Sequence, residues 1–270
     1  MIALYITAGI LLVILVILTV EFSLLVPAKR GLPILMYHKV SEGFADGLTI
    51  PAEKLEKHFI YLRVKGYQSL TFTDLEQFMK EGSPLPRRPV ILTFDDADQS
   101  FYDRALPLLR DYGLNATVFV PLAYMGKTNI WDKGNDRIMA PETIREVATR
   151  ERTGIGLHSF LHRSYAEMTR EDMAEDLNNC FSTLAFYNIP FVRVLAYPYG
   201  GFPKNDPELK EEMKDLFREK GLSFALRIGN RINRWPPADP YELKRIDIRG
   251  TDNFFTFKTK LKKGRKKLFS

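Results

Sequence analysis

Residues 89–120 read PVILTFDDADQSFYDRALPLLRDYGLNATVFV, and this stretch decides the fold. Its first six residues, 89–94, form an apolar run of the kind found in buried strands. Residues 100–112 have helical periodicity and stop before Gly113, which predicts a helix. Residues 116–120 form a second apolar, β-rich run. This order predicts two parallel strands joined by a helical crossover.

The same alternation continues along most of the chain. The predicted strands are residues 33–37, 89–94, 116–120, 155–157, 192–197, 223–228 and 243–248. About seven parallel strands are enough to close a barrel, and the active sites of such barrels gather at the carboxyl ends of the strands. The predicted fold class is therefore α/β, with a (β/α) barrel of about seven strands.

The N-terminal segment predicts a membrane anchor. Residues 2–20 carry no charged side chain and as a helix would span about 28 Å, close to the hydrocarbon thickness of a bilayer. We assign residues 1–26 to a single transmembrane helix. The alternative is a cleaved signal peptide, because residues 26–28 resemble a small-residue cleavage site. The length of the apolar run and the absence of a preceding Lys or Arg argue against cleavage.

The formal net charge is +6, and much of it lies near the C-terminus. Residues 258–267 contain seven Lys or Arg and no acid. We therefore divide the rest of the chain into a domain, 27–253, and a basic tail, 254–270. The tail suits an anionic surface such as a membrane, or is a solvated terminus. Nucleic acid is a weaker choice of partner, because no nucleic-acid motif accompanies the charge.

Polar side chains that could bind metal follow four of the predicted strands. Asp95 and Asp96 follow strand 89–94, and His158 follows strand 155–157. His38 and the turn around Tyr199 follow two further strands, 33–37 and 192–197. Because parallel strands present their carboxyl ends at one rim, these residues are predicted to meet there.

The spacing of these residues indicates a metal site. His158 and His162 are four residues apart, so one helical turn would bring both rings to one side. Two imidazoles and one carboxylate suit a divalent metal with positions open for water. Of the adjacent Asp95 and Asp96, one could bind the metal while the other acts as a base. Taken singly, the Asp pair could be a loop or helix cap, and the His pair a surface pair.

The motifs TFDD (93–96), HSFLH (158–162) and YPYG (197–200) resemble those of the polysaccharide deacetylases, the NodB-homology or carbohydrate esterase 4 family. The resemblance covers roughly residues 32–248. It implies a distorted (β/α) barrel. It also implies a divalent metal, usually zinc.

The resemblance also implies roles for individual residues. Asp96, His158 and His162 would bind the metal, and Asp95 would be the general base. The backbone N–H of Tyr199 would help to hold the oxyanion. In addition, Ser159 would orient a metal ligand.

Two departures from the family pattern matter. Ala196 stands where members of this family carry an Arg that braces the base, and Arg245 is our candidate replacement. No His follows His162, although the family's general acid is a late His. The sequence Met-Tyr-His at 36–38 resembles an arrangement in the poly-N-acetylglucosamine deacetylase subgroup, which implies that His38 is the acid. His58, within a predicted helix, is interpreted as structural.

These observations predict a zinc-dependent hydrolase that removes N-acetyl groups from a poly-N-acetylglucosamine-like glycan and releases acetate. Alternatives are a lipid-linked amino sugar as substrate, an O-acetyl ester as substrate, or a decayed carbohydrate-binding barrel. Aromatic side chains such as Tyr124, Trp131 and Trp235 could stack on sugar rings or equally well pack in the core. The resemblance favours an extracytoplasmic domain, whereas the basic flank Lys29–Arg30 favours the cytoplasm. The sequence predicts no particular oligomeric state.

Overall fold

A closed ring of seven parallel strands forms the centre of the molecule, with an eighth strand paired outside it. The computed structural model describes residues 1–21, 31–132, 136–150 and 152–265. The end of the predicted anchor (22–26), the cleavage-like residues 26–28, the flank Lys29–Arg30 and the end of the tail (266–270) lie outside the described residues.

The strands are β1 (Ile34–Tyr37), β2 (Lys39–Ser41), β3 (Thr49–Pro51), β4 (Gln68–Ser69), β5 (Pro89–Phe94), β6 (Ala116–Val120), β7 (Thr153–Leu157), β8 (Val194–Ala196), β9 (Phe224–Ile228) and β10 (Leu243–Asp247). The helices are α1 (Ile2–Glu21), α2 (Ala52–Val64), α3 (Phe72–Glu81), α4 (Leu106–Asp111), α5 (Pro141–Thr149), α6 (Arg170–Phe186), α7 (Pro207–Glu219) and α8 (Phe254–Lys263).

The sheet closes into a ring because β1 pairs with β10 on one side and with β5 on the other. The order is β1-β10-β9-β8-β7-β6-β5-β4, and β1 also pairs with β5, in register Ile34↔Ile91 to Tyr37↔Phe94. Every pairing in the ring is parallel. The predicted barrel of about seven strands is confirmed, and it places the carboxyl ends of its strands at one rim.

Alternation along the strands divides the core in two. Leu92 and Phe94 of β5 pack in a large cluster with residues of the surrounding helices. Ile91, directly before Leu92 in sequence, packs with Phe119 and Phe72 in a smaller second cluster. Successive strand residues face opposite sides of a sheet, so the smaller cluster fills the barrel interior.

Helix α3 was not predicted, although the sequence carries its signals. Thr71 and Asp74 form a capping box, in which the Thr71 hydroxyl accepts from the Asp74 N–H and the Asp74 carboxylate accepts from the Thr71 N–H. Gly82 ends the helix in the left-handed conformation. Phe72 of this helix enters the interior cluster, so α3 helps to pack the barrel.

The predicted N-terminal helix is present as α1, but a membrane crossing is not supported. In the part of the chain that the structure describes, none of the helices is long and apolar enough to cross a membrane. The side of a membrane on which the domain works stays a prediction.

The basic tail differs from the prediction, because its first ten residues form α8 and pack on the domain. Phe257 and Leu261 are buried, and the Phe257 ring stacks on His58 of α2 with centroids 3.6 Å apart. Lys260 donates to the Asp247 carbonyl at 2.7 Å and to the Asp252 carboxylate at 2.5 Å. The helix packs on the domain through its apolar face, which the many lysines conceal in the sequence. The folded domain therefore extends beyond residue 253.

Candidate active site

The rim at the carboxyl ends of the strands carries a cavity of about 330 Å³. His38 directly follows β1, Asp95 and Asp96 directly follow β5, and His158 directly follows β7. The residues predicted for the site all line this cavity: His38, Asp95, Asp96, His158, His162, Tyr199 and Arg245. The structure therefore brings the predicted set together at the predicted rim.

Asp96, His158 and His162 offer three donor atoms to one point. One atom from each residue lies within 4.8 Å of the other two, and all three residues are buried. The Nε2 atoms of His158 and His162 lie 3.5 Å and 3.2 Å from Asp96 Oδ1. Distances of this size leave space for a cation that all three atoms could contact.

The hydrogen bonds of the two imidazoles test whether a cation fits. His158 Nδ1 lies 2.8 Å from the Ala196 carbonyl, which can only accept, so Nδ1 carries the proton. In the neutral ring, Nε2 then presents a lone pair to the Asp96 carboxylate. Asp96 Oδ1 is buried and has no hydrogen-bond partner among the described residues. Lone pairs converging on an orphaned carboxylate oxygen fit a divalent metal.

Backbone strain accompanies the ligands. Asp96, His162 and Tyr199 have φ of 69°, 53° and 59°, in the left-handed region that side chains with a Cβ rarely adopt. Such strain persists only where surrounding contacts hold it, and it clusters at functional sites.

Asp176 of α6 holds the loop between the two histidines, and the sequence analysis missed it. The Ser159 hydroxyl and the Phe160 N–H donate to Asp176 Oδ1 at 2.7 and 2.8 Å, and the Tyr165 hydroxyl donates to Oδ2 at 2.7 Å. Ser159 was expected to orient a metal ligand, and its hydroxyl instead fixes the loop through Asp176. A buried Asp in mid-helix carried no motif that could have revealed it.

Asp95 lies beside the three ligands and is fully enclosed. Arg245 Nη1 donates to Asp95 Oδ1 at 2.5 Å, and both side chains are buried. Burial raises the pKa of Asp95, but its surroundings, above all the charge of Arg245, bring the pKa below its ordinary value. Asp95 is therefore held ionised.

Asp96 is also held ionised. Its burial raises the pKa, and the imidazoles of His158 and His162 and the charge of His38 lower it well below the usual range. An ionised carboxylate is the form that binds a metal.

His38 and Tyr199 complete the wall of the cavity. His38 Nε2 lies 3.9 Å from Asp95 Oδ2, and the His38 side chain is 13% exposed, so it is open to the cavity. The Tyr199 hydroxyl lies 3.1 Å from His162 Nδ1, a contact that the sequence did not suggest. As the metal-facing atom of His162 is Nε2, its Nδ1–H donates to Tyr199.

The three aromatic residues suggested as sugar platforms have different positions. Trp131 stacks on His162 with centroids 4.1 Å apart and lines the cavity, and Tyr124 packs edge-on against Trp131. Trp235 lies at the amino end of the barrel, beside a separate cavity, and packs against the smaller cluster, so for Trp235 the alternative of core packing holds. Sequence spacing could not show which rim a loop aromatic reaches.

Lys39 was missed as well. Its buried ammonium donates to Asp132 at 2.5 Å and to Asp136 at 2.7 Å, which ties the loop that carries Trp131 to the strand that follows His38. Its two carboxylate partners raise the pKa of Lys39 to about 12, against the effect of burial.

A buried Asp-His-His cluster that could hold a divalent metal, at the carboxyl rim of a parallel barrel, is typical of a (β/α)-barrel enzyme. The family model described as polysaccharide deacetylase matches residues 82–216. The chain belongs to the polysaccharide deacetylase family, a family of hydrolases.

Two curated relatives extend the similarity beyond the matched region. The chain is 30% identical over 190 residues to the Bacillus subtilis protein YxkH, named for the polysaccharide deacetylase family, covering 70% of this chain and 62% of that one. It is 27% identical over 185 residues to the poly-beta-1,6-N-acetyl-D-glucosamine N-deacetylase of Staphylococcus epidermidis, covering 65% and 60%. The chain thus spans about three-fifths of the length of these relatives.

Solved structures show the same fold at low identity. IcaB from Ammonifex degensii matches with a TM-score of 0.67 at 23% identity, over 82% of this chain and 93% of that one. The de-N-acetylase from Aggregatibacter actinomycetemcomitans matches with a TM-score of 0.69 at 20% identity, over 85% and 99%. At these identities the likeness establishes the barrel and its connectivity.

Proposed function

We propose that this protein is a metal-dependent N-deacetylase that releases acetate from an N-acetylated polysaccharide. The observation that carries the proposal is the orphaned Asp96 oxygen facing two imidazole Nε2 atoms, with the ionised Asp95 beside it. The intact set of three donors and a base argues against the alternative of a decayed carbohydrate-binding barrel. The deacetylase names of relatives such as that of Staphylococcus epidermidis support the reaction type.

Asp96, His158 and His162 would hold the metal, and the set of one carboxylate and two imidazoles suits zinc. A bound metal supplies Lewis acidity, which polarises an acetyl carbonyl and acidifies a water molecule.

The side chains around the metal site can carry the proton transfers. Asp95, ionised and fixed by Arg245, accepts the proton of the attacking water. His38 lies across the cavity, 3.9 Å from Asp95, and in its protonated form donates to the departing amine. The Tyr199 N–H donates to the oxyanion, where one preorganised donor contributes about 3 kcal/mol. Proton acceptance and proton donation are thereby assigned to separate residues.

The experiment is acetate release from β-1,6-linked N-acetylglucosamine oligomers, measured with added zinc and with a chelator. We expect release with zinc and at least a hundredfold less after chelation. The Asp95→Asn variant should retain metal and lose about 10³-fold in kcat, and His38→Ala should lose about 10²-fold. Full activity in either variant would remove that residue from the mechanism.

The substrate is proposed to be a poly-N-acetylglucosamine-like glycan. The names of the staphylococcal relatives and the His38 position at the end of β1 favour this glycan over xylan or chitin. Equal or better turnover of O-acetylated xylan in the same assay would overturn this choice.

An extracytoplasmic position is proposed together with this glycan, because polysaccharides of this kind lie outside the cytoplasm. Protease treatment of intact cells should digest the domain. Protection of the domain until the cells are lysed would instead favour a cytoplasmic, lipid-linked amino sugar.

A further inference from the structure

The two histidines of the candidate metal site are held in different ways. His158 Nδ1 donates to the carbonyl of Ala196, a backbone partner on β8, at 2.8 Å. His162 Nδ1 donates to the hydroxyl of Tyr199 at 3.1 Å, and Tyr199 is 62% exposed. In a metal-binding histidine, the hydrogen bond of one ring nitrogen orients the other nitrogen. Hydrogen bonding therefore fixes the orientation of His162 less firmly than that of His158.

The ring of Trp131 restrains His162 from its face. The two rings stack with centroids 4.1 Å apart and planes at 23°. Tyr124 packs edge-on against Trp131, with centroids 4.9 Å apart. Aromatic pairs have preferred geometries, so a ring stacked on the imidazole opposes tilting of the imidazole. The direction in which His162 Nε2 points thus depends on where Trp131 lies.

Backbone hydrogen bonds hold the base of the loop that carries Trp131. The Ile138 N–H donates to the Lys127 carbonyl at 2.8 Å, and the Met139 N–H donates to the Ala97 carbonyl at 2.9 Å. These bonds join the two sides of the loop and attach them to the segment that follows Asp96. Trp131 lies several residues beyond these bonds, towards the tip of the loop, so its position depends on further contacts.

Lys39 supplies those contacts from the opposite wall of the cavity. Its ammonium donates at 2.5 Å to Asp132, the residue after Trp131, and at 2.7 Å to Asp136. The Lys39 side chain is only 10% exposed, so water screens these ion pairs less than pairs at the surface. Because both carboxylates bind the same ammonium, removal of the ammonium would leave two like charges close together. Their repulsion would displace the tip of the loop.

We propose that Lys39 is a positioning residue for the metal ligand His162 and that it acts through Trp131. The ion pairs of Lys39 fix the tip of the loop, and the tip fixes the Trp131 ring. That ring keeps His162 Nε2 directed at Asp96 Oδ1, 3.2 Å away. The inference rests on the metal site of the proposed function and assigns to Lys39 an effect on the affinity for the metal.

The test is the affinity for zinc, measured without glycan by competition with a chromophoric chelator. The affinity should fall about tenfold in Lys39→Met and about tenfold in Trp131→Ala, as is usual for residues that orient a metal ligand. The double variant should also lose about tenfold, because both substitutions remove the same restraint. Lys39→Arg keeps the cation and should recover most of the affinity.

Lys214 provides a matched control. Its side chain is 12% exposed, and its ammonium lies 2.8 Å from Glu211 and 2.8 Å from Asp239, so it too is enclosed by two carboxylates. It lies on α7 and does not line the cavity of the metal site. Lys214→Met should lower the stability against urea as Lys39→Met does, and it should leave the affinity for zinc unchanged.

Unchanged affinity for zinc in Lys39→Met would overturn the inference. A loss of about a hundredfold in the double variant would overturn it too, because the two residues would then act independently. An equal loss in Lys214→Met would assign the effect to general stability and would also overturn it.

Acetate release tests the proposed function separately. If the affinity for zinc depends on Lys39 and Trp131 as expected but no acetate is released, the inference holds and the proposed function is wrong. If acetate is released and Lys39→Met binds zinc as the wild type does, the function holds and the inference is wrong. Wild-type protein that binds no zinc would overturn both.

Discussion

Each end of the barrel carries a cavity, and the larger of the two cavities lacks a cluster of buried polar groups. The amino-end cavity of about 820 Å³ is lined by prolines, Leu85 and Trp235, and the Trp235 N–H donates to the Ser83 carbonyl. The carboxyl-end cavity of about 330 Å³ contains Asp96 Oδ1 without a partner in the described chain and Asp95 in a buried ion pair. Function follows from the convergence of buried polar groups, and cavity size by itself does not indicate it.

The largest expected effect is the loss of the metal at the carboxyl end. Asp96→Asn removes the charged donor, so bound zinc should fall to background and kcat/KM by at least about 10³-fold. Metal analysis and acetate release measure the two effects. The control Asp98→Asn changes a neighbouring buried carboxylate that is not one of the three donors. Metal retained at wild-type content in Asp96→Asn would contradict the ligand set.

A smaller effect is expected for the residue that pairs with the base. Arg245→Met leaves Asp95 buried without its cation, so we expect kcat to fall about 10- to 100-fold while metal content is kept. The free energy of unfolding should fall by about 3–5 kcal/mol, as for a broken buried ion pair. The control is Lys244→Met, because Lys244 directly precedes Arg245 on the same strand and its side chain lies on the opposite face of the sheet. An unchanged kcat in Arg245→Met would separate Arg245 from the chemistry.

Substitution of the two tryptophans compares the two ends of the barrel directly. Trp131→Ala removes the ring stacked on His162, and kcat/KM should fall about tenfold. Trp235→Ala at the amino end should leave kcat/KM within about twofold and lower the free energy of unfolding by about 2 kcal/mol. Kinetics and urea unfolding of both variants check this pair. A larger kinetic loss in Trp235→Ala than in Trp131→Ala would reverse the assignment of the two ends.

The smallest effect at neutral pH is expected at His58, away from both cavities. Burial lowers the pKa of His58 to about 3, so the imidazole is neutral in the folded protein and protonates more readily when unfolded. Its contribution to stability is complete above the ordinary pKa of 6.5 and is lost as the pH falls from 6.5 towards about 3. His58→Phe should flatten the urea-unfolding stability over that range. A pH dependence identical to wild type would show that other groups cause the acid sensitivity.

The sequence was sufficient to predict the barrel and to predict that His38, Asp95, Asp96 and His158 lie at one rim of it. Continuous apolar runs such as 89–94 mark buried parallel strands, and polar residues directly after them must lie at the carboxyl rim. This placement depends only on strand direction, so it needed no knowledge of the loops.

The supporting contacts could not be predicted, for two physical reasons. Asp176 and Lys39 act through contacts with residues far away in the sequence or on other elements, and neither stands in a local motif. Helix α8 was hidden because its lysines indicated a solvated tail, whereas Lys260 is buried by pairing with Asp252. A charged side chain normally prefers water, and its burial becomes favourable only when the tertiary structure supplies a partner.

The pairing of β1 with β10 joins the first barrel strand made during synthesis to the last. His38 follows β1 and Arg245 lies on β10, so the proposed acid and the partner of the base flank the seam where the ring closes. All three candidate metal ligands precede β10 in the chain, whereas the partner of Asp95 lies on β10 itself. The Asp95–Arg245 ion pair therefore cannot form until nearly the whole domain has been synthesised and the ring can close.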